Sequence, residues 1–193
     1  MPDLRGAFRA APTRAFSATV YRICPARYVG NVVSLRGSFL HGARYNIRGY
    51  FGALYTSLSK ETARREMARY FTVAPMGGFV EASIGLRLSR VVDLTRGRLL
   101  RQAGVAREQL IEIGFPITHE IGLQAWESGI EALLAPSAAN PAERNLVVFL
   151  DNQHPEWQVE LQNIAAEDHS SGTRGGRYKE RYRPELSFGR ACR

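Results

Sequence analysis

Strands and short helices that follow one another without regular β–α–β alternation predict an α+β fold, a mixed sheet core with short helices. Three stretches carry that prediction. Phe79 to Ser89 places Val80, Ala82, Ile84, Leu86 and Leu88 on one side and Glu81, Ser83, Arg87 and Ser89 on the other, the period of two expected of a half-buried strand. Ser59 stands before a helical pattern that runs to about Phe71, with Glu61 in its first turn and Ala63, Met67, Tyr70 and Phe71 on one face; serine is a favoured N-cap because its hydroxyl accepts from a free backbone N–H. Two strand-like runs, Ile130 to Leu134 and Asn145 to Leu150, flank a loop, Ala135 to Glu143, that holds Pro136, Ser137, Asn140 and Pro141.

The remaining elements follow in order. Residues 1–17 are rich in Ala, Arg and Pro and read as an N-terminal extension. Ala18 to Cys24 is a first strand stopped by Pro25, and Tyr50 to Ser57 (YFGALYTS) a second. Helical patterns are expected at Arg96 to Ala103, Ala106 to Ile113 and Thr118 to Ser128, separated by Gly104 and by Gly114-Phe115-Pro116, with Gly129 ending the last. Trp157 to Ile164 reads as a final strand. From about residue 167 the chain turns to Ser, Gly, Arg and Tyr with few aliphatics, a basic flexible tail. A single domain over residues 18–166 with two flanking segments is the expected organisation.

The chain has 193 residues, 45% of them hydrophobic and 23% charged, which suits one ordinary globular core. It carries a formal net charge of +8, and of its 26 basic side chains all but Lys60 and Lys179 are arginine. Arginine presents a planar fork of donors that matches phosphate and carboxylate. No apolar run approaches the roughly 18 residues of a membrane-spanning helix, and Met1-Pro2-Asp3-Leu4-Arg5 lacks the apolar stretch of a signal peptide. A cytoplasmic protein that does not engage the membrane is expected. Cys24 and Cys192 stand far apart, and His41, His119, His154 and His169 form no recurrent ligand pair, so no metal is expected. Neither a G-x-G-x-x-G turn nor a P-loop is present, so side chains would have to hold any nucleotide.

Several side chains could carry chemistry. Arg44, Tyr45 and Asn46 lie together in a loop-like stretch, and Tyr55 sits near the end of the strand that follows. Glu66 falls about 85° from the middle of its helix's apolar face on a 100°-per-residue wheel. That border position shields a carboxylate partly from water, or else leaves a surface glutamate contacting Arg69 three residues on. Ser137 follows Pro136 and fits a turn equally well.

Taken in order, YRICPARY, GARYN, LYTS, a helical glutamate, GIEALLAPSA and NLVVFLDN resemble the RES domain family, over about Ala18 to Ile164. The family's arginine, glutamate and serine correspond to Arg44, Glu66 and Ser137, with Tyr55 the intervening tyrosine. Ala43 stands where a second glycine is typical, and Tyr45 where tryptophan is often found.

The resemblance implies a fold similar to the ADP-ribosyltransferase toxins and the toxin half of a bacterial toxin–antitoxin pair that takes NAD as substrate. Cleavage of the nicotinamide–ribose bond develops oxocarbenium character, which a nearby carboxylate stabilises. The resemblance assigns Glu66 that part, with Arg44 and Tyr55 as further catalytic residues; Arg44 also takes the pyrophosphate or nicotinamide-side phosphate, Tyr45 and Tyr55 the nicotinamide and ribose, Asn46 a place in the NAD site, and Ser137 a ribose or amide group. The acceptor of ADP-ribose, whether protein side chain, water or phosphate, stays open. A cognate antitoxin, commonly an Xre-like DNA-binding protein, is implied as partner. The alternative is a basic nucleic-acid-binding or ribonuclease toxin. Against it, no histidine is paired with a lysine or glutamate for phosphodiester chemistry, and direct nucleic-acid contact is not expected.

Overall fold

A computed structural model describes residues 3–69, 78–152, 154, 157–167, 175–176 and 180–181. Chain order is α1 (Leu4–Arg9), β1 (Arg14–Pro25), α2 (Arg36–His41), β2 (Leu54–Ser57), α3 (Lys60–Ala68), β3 (Phe79–Asp93), α4 (Arg98–Gln102), α5 (Pro116–Glu127), β4 (Ala132–Pro136), β5 (Arg144–Val148), β6 (Gln158–Glu167), β7 (Gly175–Gly176) and β8 (Glu180–Arg181). Short 3-10 helices occupy Ala26–Asn31, Leu94–Arg96, Arg107–Leu110 and Leu150–Asn152.

The alternation read at residues 79–89 becomes the longest strand, β3, and the other strands are arranged about it. One edge pairs antiparallel with β1, from Pro25 opposite Phe79 to Arg14 opposite Val91. The other edge is shared: β6 runs antiparallel along Phe79 to Arg87, and β4 runs parallel along Val91 to Asp93. From β4 the sheet continues antiparallel to β5 and then to β2. β2 returns to β1 through the pair Tyr21 and Ser57, so five strands close a ring.

Val20, Leu54, Ile84, Leu134 and Leu146, one from each ring strand, pack in a single buried cluster that fills the ring. The opposite faces of β4 and β5 present Leu133, Ala135 and Val147 to a second cluster supplied by α1, α4 and α5 through Leu4, Phe8, Leu99, Leu100, Ile121 and Ala125. Each strand therefore buries both faces over part of its length, which explains the nearly continuous apolar run of β4.

The shared edge of β3 leaves a gap. β6 departs at Arg87 and β4 begins at Val91, so the N–H groups of Ser89 and Arg90 have no strand acceptor there. Both donate to Oε2 of Glu131, at 2.6 and 2.8 Å, and that side chain is only 1% exposed. A buried carboxylate is tolerated here because it satisfies backbone donors that would otherwise be lost.

The α+β expectation is borne out, with several boundaries moved. β1 begins at Arg14, and residues 4–9 form a helix whose start is capped by the Asp3 carboxylate on the Gly6 N–H at 2.9 Å. Tyr50 to Ala53 are not strand: Phe51 stacks on Trp126 with centroids 5.1 Å apart, so that apolar run reflects core packing rather than pairing. The pattern at Ala106 to Ile113 yields only the 3-10 turn Arg107–Leu110, because its apolar residues are not all buried and Ile113 is fully exposed. The pattern at Arg96 to Ala103 breaks at Gly97, which has a φ of 67°. Glu81, read on the polar side of β3, is buried and ion-paired to Lys60 and Arg64. Tyr70 and Phe71, expected at the end of α3, lie outside the described residues, as does most of the chain beyond residue 167; β7 and β8 pair there with β6.

Candidate active site

α3 starts where Ser59 Oγ accepts from the Thr62 N–H at 3.1 Å, and this cap sets the helix so that Glu66 turns toward the end of β4. The carboxylate does not contact Arg69, whose link to Glu66 is the backbone bond that ends the helix. Instead Oε1 of Glu66 accepts from Ser137 Oγ at 2.6 Å, from Asn145 Nδ2 at 2.6 Å and from the Ala138 N–H at 3.1 Å. Among the described residues no partner holds Oε2. One oxygen is fixed by donors from two segments, and the other is presented.

Those donors are themselves fixed. Ser137 is fully buried, and its Oγ accepts from the N–H groups of Ala139 and Asn140 at 3.2 and 3.1 Å while donating to Glu66. Its single hydrogen is spent, so the hydroxyl has none to offer a ribose or amide group. Asn145 lies opposite Ser57 in the β2–β5 pairing, and its Oδ1 accepts from Ser57 Oγ at 2.7 Å. The amide's orientation is thereby set, with its NH2 toward Glu66.

A second network holds the loop of Arg44, Tyr45 and Asn46. Tyr55 Oη accepts from the Tyr45 N–H at 2.8 Å and donates to Asn46 Oδ1 at 2.9 Å. Asn46 Nδ2 donates to the carbonyls of Ser38 and Phe51, and the residue is fully buried. Asn46 and Tyr55 thus secure the loop from beneath. α5 closes it from the side: a Cβ added at Gly122 would lie 1.9 Å from the Tyr45 carbonyl oxygen, so only glycine permits this approach. His119 Nε2 lies 3.0 Å from the Ala43 carbonyl.

Arg44 is half-buried. Its Nη1 donates to the carbonyls of Leu110 and Glu112 at 3.0 and 2.9 Å, and the guanidinium lies over the Phe115 ring at 4.8 Å. Among the described residues the rest of the fork has no partner.

The Tyr45 side chain joins the two networks electrostatically. Its hydroxyl is buried and has no hydrogen-bond partner. Burial pushes its pKa well above the ordinary phenol value, the Glu66 charge raises it further, and Arg44 opposes the shift. Glu66 and Arg44 therefore both act at one phenol, although no hydrogen bond joins them.

The structure thus brings Glu66 onto Ser137 and gathers Tyr45, Asn46 and Tyr55. Sequence reasoning missed Asn145, Ser57, His119 and Gly122. Asn145 and Ser57 become partners through strand register, which the order of residues does not display.

Residues 19–178 match the model of the RES domain. The match extends past Ile164, the end of the resemblance read from the sequence. Over 160 residues the chain is 31% identical to a Mycobacterium tuberculosis protein described as "Probable NAD(+) phosphorylase", an alignment spanning 79% of this chain and 76% of that relative. The crystal structure of the M. tuberculosis MbcT-MbcA toxin–antitoxin complex contains a chain of the same fold, with a TM-score of 0.69, 22% identity, and coverage of 84% of this chain and 91% of that one. Among the described residues no helix is long and apolar enough to cross a membrane.

Proposed function

The chain belongs to the RES domain family, and on that premise we propose that it is the toxin of a bacterial toxin–antitoxin pair, an enzyme that takes NAD and breaks its nicotinamide–ribose bond. The observation that carries the reading is Glu66, with Oε1 held by Ser137, Asn145 and a backbone N–H and Oε2 left for a ligand. A carboxylate fixed in this way needs no reorganisation when positive charge develops on the ribose.

In this reading the bond between the anomeric carbon and the pyridinium nitrogen breaks, and its electron pair neutralises the departing nicotinamide. Glu66 Oε2 stabilises the oxocarbenium character left on the sugar. The acceptor oxygen then bonds to the anomeric carbon. The name of the Mycobacterium relative favours inorganic phosphate as acceptor, giving ADP-ribose 1″-phosphate; water and a protein side chain are the other candidates. The open part of the Arg44 fork suits the pyrophosphate. Ser137, Asn46 and Tyr55 are positioning residues, since their polar groups are taken up within the protein, and Asn145 joins them. Tyr45 is buried in the core, where the charges of Arg44 and Glu66 both act on its phenol. The catalytic unit is taken as residues 18–166, with 1–17 and 167–193 flanking it.

A cognate antitoxin is the expected partner, and the fold's likeness to a chain from a toxin–antitoxin complex supports that expectation. We assign it to the Xre-like DNA-binding class and place the enzyme in the cytoplasm, where NAD is at hand. Co-expression with the product of the neighbouring gene should yield a stable complex and relieve toxicity.

The direct experiment incubates the purified protein with NAD labelled in its adenylate part, with and without phosphate and with bacterial lysate. Nicotinamide release that depends on phosphate, with label on a small product, is the expected result. Label on a discrete protein band would make the enzyme a transferase, and no release under any condition would overturn the proposal.

A further inference from the structure

We propose that the face formed by α1 and α4 docks the phosphate backbone of double-stranded nucleic acid. α1 buries Leu4 and Phe8 and turns Arg5 and Arg9, one helical turn apart, to solvent. α4 buries Leu99 and Leu100 and leaves Arg98 and Arg101 exposed. The two helices are in contact, which brings four exposed arginines into one region of the surface. Neither helix contains an acidic residue. Asp3, just before α1, is engaged in capping it.

Some exposed arginines elsewhere are neutralised, Arg14 and Arg96 by Asp93, Arg64 by Glu81 and Arg65 by Glu61, whereas Arg36, Arg48, Arg87, Arg107 and Arg144 are exposed without an ion pair among the described residues. Among the described residues none of Arg5, Arg9, Arg98 and Arg101 has an ion pair or hydrogen-bond partner. Four unpaired like charges on touching helices repel one another, and an external polyanion relieves that repulsion.

The kind of polyanion follows from what the face lacks. The large apolar side chains left exposed, Tyr28, Val29, Leu40, Tyr50 and Ile113, all lie on other elements. A folded protein partner needs an apolar centre to its interface, and a single strand needs aromatic platforms for its bases. A duplex backbone needs neither, because phosphate contacts by arginine supply position and affinity without reading sequence. The four residues are separate from the Glu66 and Arg44 networks, so this inference stands apart from the NAD reading. It also departs from the sequence expectation of no direct nucleic-acid contact.

Fluorescence anisotropy with a labelled random-sequence DNA duplex of about 20 base pairs, titrated with salt, tests the proposal. Four phosphate contacts predict that log affinity falls against log salt with a slope contribution of about −3.6, or roughly 150-fold between 50 and 200 mM salt. The combined variant R5Q/R9Q/R98Q/R101Q should lose that contribution, and R98Q/R101Q alone about half of it, with thermal melting showing that both remain folded. An unchanged slope in a folded variant would overturn the proposal. So would binding to polyglutamate or to the corresponding single strand as tight as binding to the duplex.

Discussion

At the scale of single residues, the candidate chemistry depends on the unequal treatment of the two oxygens of Glu66. Replacing it with glutamine keeps the shape but puts a neutral amide where a charge is needed. Glu66→Gln should therefore lower nicotinamide release by about a hundredfold or more with little change in melting temperature. Equal turnover by variant and parent would remove Glu66 from the mechanism. Asn145→Ala frees Oε1 of one donor and should lower kcat more than it raises KM, the split expected of a positioning residue. Tyr45→Phe removes a buried hydroxyl without a partner, so stability should hold or rise by about 1 kcal/mol. Because the folded state raises the Tyr45 pKa, its neutral form stabilises the fold below the ordinary phenol pKa of about 10, and that contribution is lost as pH climbs further. The phenylalanine variant should show a shallower fall in stability on the alkaline side, measured by denaturant unfolding at a series of pH values.

At the scale of elements, the contact of α5 with the Tyr45 loop is the sharpest constraint. Alanine ordinarily improves a helix interior over glycine by about 1 kcal/mol, yet the methyl group at position 122 would meet a backbone carbonyl. Gly122→Ala should therefore destabilise the protein by about 1–3 kcal/mol and reduce nicotinamide release as the loop shifts; a gain in melting temperature would show that α5 can move away freely. Legibility differed among the elements for a physical reason. The alternation of β3 and the Ser59 cap of α3 are local features and were readable. Tyr50 to Ala53 was not, because an apolar run looks the same whether it pairs as a strand or packs around Trp126. Glu66 lies on the border of its helix, where pattern alone favours a surface glutamate contacting Arg69, and only the order of the surrounding motifs points to the cleft.

At the scale of the whole molecule, the ring of five strands is filled on the inside and covered on one outer side by α1, α4 and α5. The family match begins at residue 19, but Leu4 and Phe8 belong to the outer core cluster. Removing residues 1–13 should cost about 3–6 kcal/mol, from burial of one leucine and one phenylalanine at about 1.5–3 kcal/mol each. Denaturant unfolding of the truncated chain measures it, and an unchanged midpoint would make the N-terminal segment a mere appendage.

The sequence by itself determined the α+β class, the core face of β3, the start of α3 and, through the order of several short motifs, the family. These are properties of neighbours along the chain, written in periodicity, capping residues and motif order. The tertiary structure alone decided that Ser137 and Asn145 hold the same oxygen of Glu66 from 71 and 79 positions away, that β2 returns to β1 to close the ring, and that α1 and α4, far apart along the chain, meet. Such meetings depend on strand register and on which faces bury together, and both are settled only when the whole core packs at once.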